Sequence, residues 1–268
     1  MNAAIAVESR VSSVASQTGV PLRVHPRPSA PDPRPSFAFT LIELLVVIAI
    51  IGALAAMLLA VTGGVKRRQY ISNTQAEMAK LITAIENYKA AYGFYPPDNH
   101  VLTAPINERF MINPLYYELT GVTNPTPNAP TYYSLKNPAL PPLTGGTSGS
   151  DIDKLYGLGG FVNCSKPGGE EVRVAKNFLP DLKQNQLATI TNTSYANVTN
   201  IVIVASVGGP SAVYEPLGPQ DVNPWRYNSS SPTNNPGSYD LWIQLVIGRQ
   251  TNLICNWTKQ VEINNPLP

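Results

Sequence analysis

The sequence predicts an α+β protein: one long N-terminal helix, apolar in its front half and amphipathic in its back half, packed on a small antiparallel sheet. Three observations carry that prediction. Residues 39–65 form an apolar run in which Glu43 is the only charged side chain. From Lys66 to Tyr92 apolar residues recur at alternating steps of three and four, the period of one helix face. Near the C-terminus, Tyr239 to Ile247 alternates with period two, as a strand does, and a turn at Gly248-Arg249 leads into an antiparallel partner.

The front run is too long and too uniformly apolar for an ordinary core helix. At ~1.5 Å per residue it would extend about 40 Å, more than the ~30 Å hydrocarbon core of a bilayer, so residues 39–65 are expected to be a transmembrane half-helix. Glu43 sits one turn inside that run, where an ionised carboxylate is costly unless something pairs with it. A rival reading takes Ala53-Leu54-Ala55 as a signal-peptidase site after an apolar segment; the apolar run continues past it to Val61, against that reading.

The stretch Ala38-Phe39-Thr40-Leu41-Ile42-Glu43-Leu44-Leu45 resembles the processing site of type IV pilins and of type II secretion pseudopilins. In that family a prepilin peptidase cuts just before the Phe and methylates the new amine, leaving a Glu five residues into the mature chain. The resemblance implies cleavage between Ala38 and Phe39, N-methylation of Phe39, and an assembly role for Glu43, whose carboxylate the cationic terminus of a neighbouring subunit would neutralise. Losing one partner of such a buried pair costs about 3–5 kcal/mol. The family usually has Gly before the cut, where this chain has Ala38.

Residues 1–38 read as a leader. Six prolines fall between Pro21 and Pro35 with no hydrophobic period, the composition of a disordered segment. The leader carries four arginines against Glu8 and Asp32, which leaves the rest of the chain with equal numbers of acidic and basic residues. Arg23, Arg27 and Arg34 precede the apolar run and Lys66, Arg67 and Arg68 follow it, so charge counting does not orient the span. The resemblance does: it implies the bacterial inner membrane, with the leader cytoplasmic and the C-terminal head periplasmic or extracellular.

In the back half of the helix, 66–93, the stripe Ile71, Thr74, Met78, Leu81, Ile85, Tyr88 and Tyr92 is expected to pack on the head. Gly93 is a natural stop, and Pro96-Pro97 forbid continuation. The head, 94–268, is expected to begin with one or two helices between Asn107 and Thr120, broken at Pro114. A Pro-rich loop follows over about 123–150, then a short helix near Asp181–Leu187. The β-branched run from Ile201 to Val207 predicts a buried strand, and a second starts at Asn223 to Tyr227.

The succession Asn223-Pro224-Trp225-Arg226-Tyr227, then Tyr239-Asp240-Leu241-Trp242, is similar to the C-terminal sheet of the major pseudopilins, which often carry an acidic calcium-binding loop there. Here a long hairpin, Ile243 to Trp257, replaces that loop. The resemblance leaves Asp221 and Asp240 as candidate calcium ligands; two carboxylates this far apart in sequence are more often turn and cap residues than ligands.

Other chemistry is sparse. Two histidines and two cysteines make no zinc spacing, and the chain has no phosphate-binding glycine loop, no nucleophile elbow and no basic stripe interleaved with aromatics. Nucleic-acid binding and enzymatic activity are therefore not expected. Cys164 and Cys255, in an exported head, are either a disulfide or two buried thiols. The expected function is that of a filament subunit, pilin or pseudopilin. It would oligomerise with itself and with minor pseudopilins, after meeting the prepilin peptidase and the inner-membrane assembly platform. The alternative is a single-pass anchored binding domain that forms no filament.

Overall fold

A computed structural model describes residues 39–102, 104, 106–124, 131–138, 143–144, 151–165, 174–192, 198–209 and 222–264. The expected leader, Ala38 and Asp221 lie outside the described residues, as does most of the Pro-rich loop. Contacts divide the chain into two units, one through Leu54 and one from Ala55 onward.

The long helix α1 runs Leu41–Tyr92, 52 residues. Its stop is the one expected: Gly93 adopts φ +87°, a left-handed conformation that favours glycine, and its amide donates to the Lys89 carbonyl at 2.7 Å. In the first unit and on to Met57, every described side chain of α1 is exposed, from Leu41 at 81% to Met57 at 70%. Among the described residues, no helix is long and apolar enough to cross a membrane.

In the second unit α1 buries one stripe. Thr74, Leu81, Ala84, Ile85 and Tyr88 are inaccessible, and Ile71, Met78, Ile82 and Tyr92 are partly covered by the core. The body has two short helices, α2 (Ile106–Met111) and α3 (Leu115–Thr120), separated around Pro114, and a third, α4 (Asp151–Tyr156). The helix expected near Asp181–Leu187 is a single 3₁₀ turn, Gln184–Gln186.

The described strands form three small sheets, antiparallel but for one pair. Strands β1 (Val122–Thr123), β2 (Thr131–Ser134), β3 (Leu143–Thr144) and β4 (Cys164–Ser165) lie in the order β3-β2-β1-β4, with β1 and β4 parallel. Strands β5 (Leu187–Asn192) and β6 (Val198–Ile203) form a ribbon. The C-terminal sheet has β7 (Arg226–Asn228), β8 (Asp240–Ile247), β9 (Gln250–Cys255) and β10 (Glu262–Ile263) in the order β10-β9-β8-β7. The result is a mixed α+β protein with a long N-terminal helix, compatible with a pilin-like fold.

The alternation of β8 hides a second covered face. Leu241, Ile243 and Leu245 join the main core. Trp242 points the other way, pairs with Cys255 across the ladder, and is covered with Leu253 by Phe110 and Trp257. Cys255 therefore continues the Trp242 face and not the Tyr239 face.

At the centre lies α3, with all six residues buried. A buried helix must satisfy its polar side chains internally, and each of these does. The Tyr116 hydroxyl meets Ser134 Oγ at 2.7 Å, and the Tyr117 hydroxyl accepts the Ile201 amide at 2.8 Å. Thr120 donates to the Tyr116 carbonyl. Glu118, wholly inaccessible, accepts from the Val162 amide on Oε1 at 2.9 Å; its Oε2 accepts from the Asn163 amide at 3.0 Å and the Tyr88 hydroxyl at 2.9 Å.

Asn163 extends the network. Its side-chain amide donates to the carbonyls of Glu118 and Lys176, while its oxygen accepts from the Tyr92 hydroxyl and the Lys176 amide. Two tyrosines of α1, one turn apart, are thus fastened to α3 and to the approach to β4 by polar bonds as well as by packing. Burial raises the Glu118 pKa against the lowering effect of its donors, and burial next to Glu118 raises that of Tyr88. Gly121 ends α3 at φ +81°, where an added Cβ would lie 3.0 Å from the Ala175 side chain.

Candidate processing and assembly site

The site is built on the first turn of α1. A helix start leaves backbone amides without partners, and Thr and Glu spaced three apart can satisfy them reciprocally. Thr40 occupies the cap. Its amide donates to Glu43 Oε2 at 2.9 Å, its hydroxyl donates to the same oxygen at 2.7 Å, and the Glu43 amide approaches Thr40 Oγ1 at 3.3 Å. The first backbone bond of the helix, Leu44 N–H to the Thr40 carbonyl, is 3.2 Å long.

The one carboxylate in the apolar front is therefore not idle within its own chain. It closes the helix N-terminus, where the helix dipole favours negative charge. Phe39 and Thr40 precede the helix, and both are exposed. The residue after the expected cut is thus accessible and outside the helix. Beyond it, from Leu41 to Met57, the helix presents exposed Leu, Ile, Val and Met side chains all round. Thr40 is the functional residue that sequence reasoning passed over. Its signal was present as Thr-x-x-Glu ahead of an apolar run.

The other candidate residues fall elsewhere. No disulfide joins Cys164 and Cys255. Cys164 is on β4 in the main core and Cys255 is on β9 in the smaller cluster with Trp242, so the two sulfurs belong to different sheets and different apolar clusters. The disulfide reading gives way to two buried thiols, and burial pushes the Cys255 thiol pKa up.

The residues present do not fit calcium at Asp240. Its Oδ2 accepts the amides of Thr233 and Asn234 and the Asn234 side chain, and its Oδ1 accepts the Asn235 amide. Four N–H groups aimed at one buried carboxylate occupy the positions a cation would need. Asp240 organises the loop before β8, the turn role its sequence also allowed. Among the described residues no cluster of three or more His, Cys, Asp or Glu side chains could hold a metal.

Asp98 plays a parallel part beside β7, accepting the amides of Ser229 and Ser230 and the Ser230 hydroxyl, with His100 Nε2 2.8 Å from its other oxygen.

A long helix with an exposed apolar front, capped by its own glutamate, and a small α+β body are compatible with a pilin-like fold. The prokaryotic N-terminal methylation motif matches residues 34–59, a stretch that contains Phe39, Thr40 and Glu43. The match supports a type IV pilin-like precursor with prepilin-type processing. No curated protein and no solved structure matches the chain.

Proposed function

We propose that this chain is the precursor of a structural filament subunit of the pseudopilin or pilin type, anchored by α1 in the bacterial inner membrane with its body on the far side. A prepilin peptidase cuts between Ala38 and Phe39 and the Phe39 amine is methylated. The front of α1 waits in the bilayer and then leaves it to pack against the same helix of other copies. The body carries no chemistry of its own in this reading; its task is to hold α1 and present a surface.

The observation that carries the proposal is the front of α1. Side chains exposed all round from Leu41 to Met57 need either lipid or other helices to cover them, and a subunit that moves from membrane to filament meets both in turn. Glu43 then has two partners. In the single chain it caps its own helix; in the filament it exchanges that cap for the cationic terminus of a neighbour. The cap is worth about 1 kcal/mol, well below the cost of an unpaired buried charge, so the exchange favours assembly. The Tyr239-Asp240-Leu241-Trp242 segment favours the pseudopilin form, with minor pseudopilins and an inner-membrane assembly platform as further partners.

The test is co-assembly. Glu43→Ala and Glu43→Gln chains, expressed beside the wild type, should reach the membrane yet be excluded from filaments. Normal incorporation of Glu43→Ala would remove the assembly role of this carboxylate and leave a simple anchor.

A further inference from the structure

Three consecutive cations, Lys66, Arg67 and Arg68, follow the uncharged run Leu44–Val65. On a helix, successive residues step ~100° around the axis and ~1.5 Å along it, so the three span about 200° of circumference within about 3 Å of height. That arrangement is a collar at one level, which fits a plane of anions lying across the helix. A peptide or a groove running along the helix would call for a stripe at steps of three and four.

The structure separates the collar into two parts. Arg67 turns to the body: its Nε and Nη2 donate to Asn252 Oδ1 at 3.3 and 2.7 Å. Lys66 and Arg68, on either side of it, are exposed, and among the described residues neither has a carboxylate partner.

Strand β9 passes Arg67 at Asn252, and further on Ile254, Cys255 and Asn256 line one groove with Gln75, Met78 and Ile82 of α1, so the clamp ties this level of the helix to the body. Tyr70, 41% exposed and one turn beyond Lys66, supplies the amphipathic ring typical of a membrane–water interface.

The geometry points to a binding collar for anionic phospholipid headgroups, formed by Lys66 and Arg68 and levelled by the Arg67–Asn252 clamp. This rests on the membrane reading above. As a helix, Leu44–Val65 spans about 33 Å against ~30 Å of hydrocarbon, which puts Lys66 at the headgroup phosphates of the far leaflet. The collar holds the subunit at a defined depth before assembly, and it is released electrostatically when the helix is withdrawn.

The experiment uses the full chain with vesicles of phosphatidylcholine alone and of equimolar phosphatidylcholine and phosphatidylglycerol. Flotation with the neutral vesicles tests membrane insertion by itself. Spin-labelled lipids in the mixed vesicles then report which headgroup the protein retains. Each basic residue near an anionic surface contributes on the order of fivefold in binding, so the wild type should retain phosphatidylglycerol several-fold over phosphatidylcholine, and less so at high salt. The Lys66→Gln/Arg68→Gln variant should float equally well and show no preference, while Lys80→Gln/Lys176→Gln, the same change of charge elsewhere, keeps it. A wild type that floats without headgroup preference, or a collar variant that retains the preference, overturns the inference. A chain that floats with neither vesicle overturns the membrane reading and takes this one with it.

Discussion

Glu118 is the strongest test of how the body holds α1. Replacing it with Gln keeps the shape but leaves one acceptor oxygen where there were two. With nitrogen at the Oε1 position, an NH₂ group faces the Val162 amide; with nitrogen at Oε2, it faces the Asn163 amide and the Tyr88 hydroxyl. In either orientation at least one buried amide loses its acceptor, at a cost of about 1–3 kcal/mol. Glu118→Ala strands all three donors and leaves a cavity, so it should cost more, about 3–5 kcal/mol. For a body of this size each kcal/mol moves Tm by roughly 2–4 °C, so Glu118→Gln should melt several degrees lower.

The pH dependence has a definite sign. Burial raises the native pKa of Glu118 above the ordinary carboxylate range, against the lowering effect of its hydrogen-bond donors. The native state therefore holds this proton to higher pH than the unfolded chain does. This group's contribution to stability is full below the unfolded pKa and is lost as pH rises through the native one. Thermal melts of the full chain in detergent, from acid to neutral pH, should show that fall for the wild type and a flatter profile for Glu118→Gln. Tyr88→Phe combined with Glu118→Gln should be less damaging than the sum of the two, since they share one bond. A Glu118→Gln chain within ~0.5 kcal/mol of wild type and with the same pH profile would refute the lock.

Thr40→Val removes the cap on α1 and should speed amide exchange at Leu41–Leu44 about fivefold, the equivalent of ~1 kcal/mol, as read by hydrogen exchange; unchanged exchange would deny the capping box. Asp240→Asn should destabilise the body by about 1–3 kcal/mol, because one of its two oxygens becomes a donor facing backbone amides. Calcium or a chelator should leave the wild-type Tm where it is, and a calcium-dependent rise would restore a metal to this loop. Intact mass after alkylation in denaturant without reductant should show both cysteines modified; a chain in which neither reacts would mean that Cys164 and Cys255 are joined after all.

How much of this was legible in the sequence depends on the range of the interaction. The stop of α1 is local, set by Gly93 and the prolines after it, and the structure ends the helix at Tyr92. The stripe from Ile71 to Tyr92 is nearly as local, because one face of a helix announces itself by period alone. That same stripe gave no sign that Tyr88 and Tyr92 carry hydrogen bonds to Glu118 and Asn163, partners 30 and 71 residues away. Nor could pattern reveal the two-residue strands β1 and β4, whose parallel pairing depends on chain that is remote in sequence.

Two features of the C-terminal sheet lie beyond what pattern can decide. The alternation of β8 assigns residues to two faces but does not say what covers each; Phe110 and Trp257 cover the second, so Trp242 and Cys255 are buried as well. The acidic residue of Tyr239-Asp240-Leu241 looked like a candidate ligand because a carboxylate is compatible with either a cation or backbone amides, and only the fold shows which of them surrounds it. At the N-terminus the opposite occurred. Thr40 was within three residues of Glu43, and the capping box was readable, but a glutamate in an apolar run drew attention to a partner on another chain before the one on its own.

The measurement closest to the central claim is the N-terminus of the membrane-resident protein, by intact mass and N-terminal sequencing. The account predicts a chain beginning at N-methylated Phe39, with the Thr40–Glu43 cap now one residue from a cationic amine. A chain beginning at Ala56 would mean a secreted soluble body, and an intact Met1 would mean an unprocessed anchor. Either would contradict the filament-subunit reading.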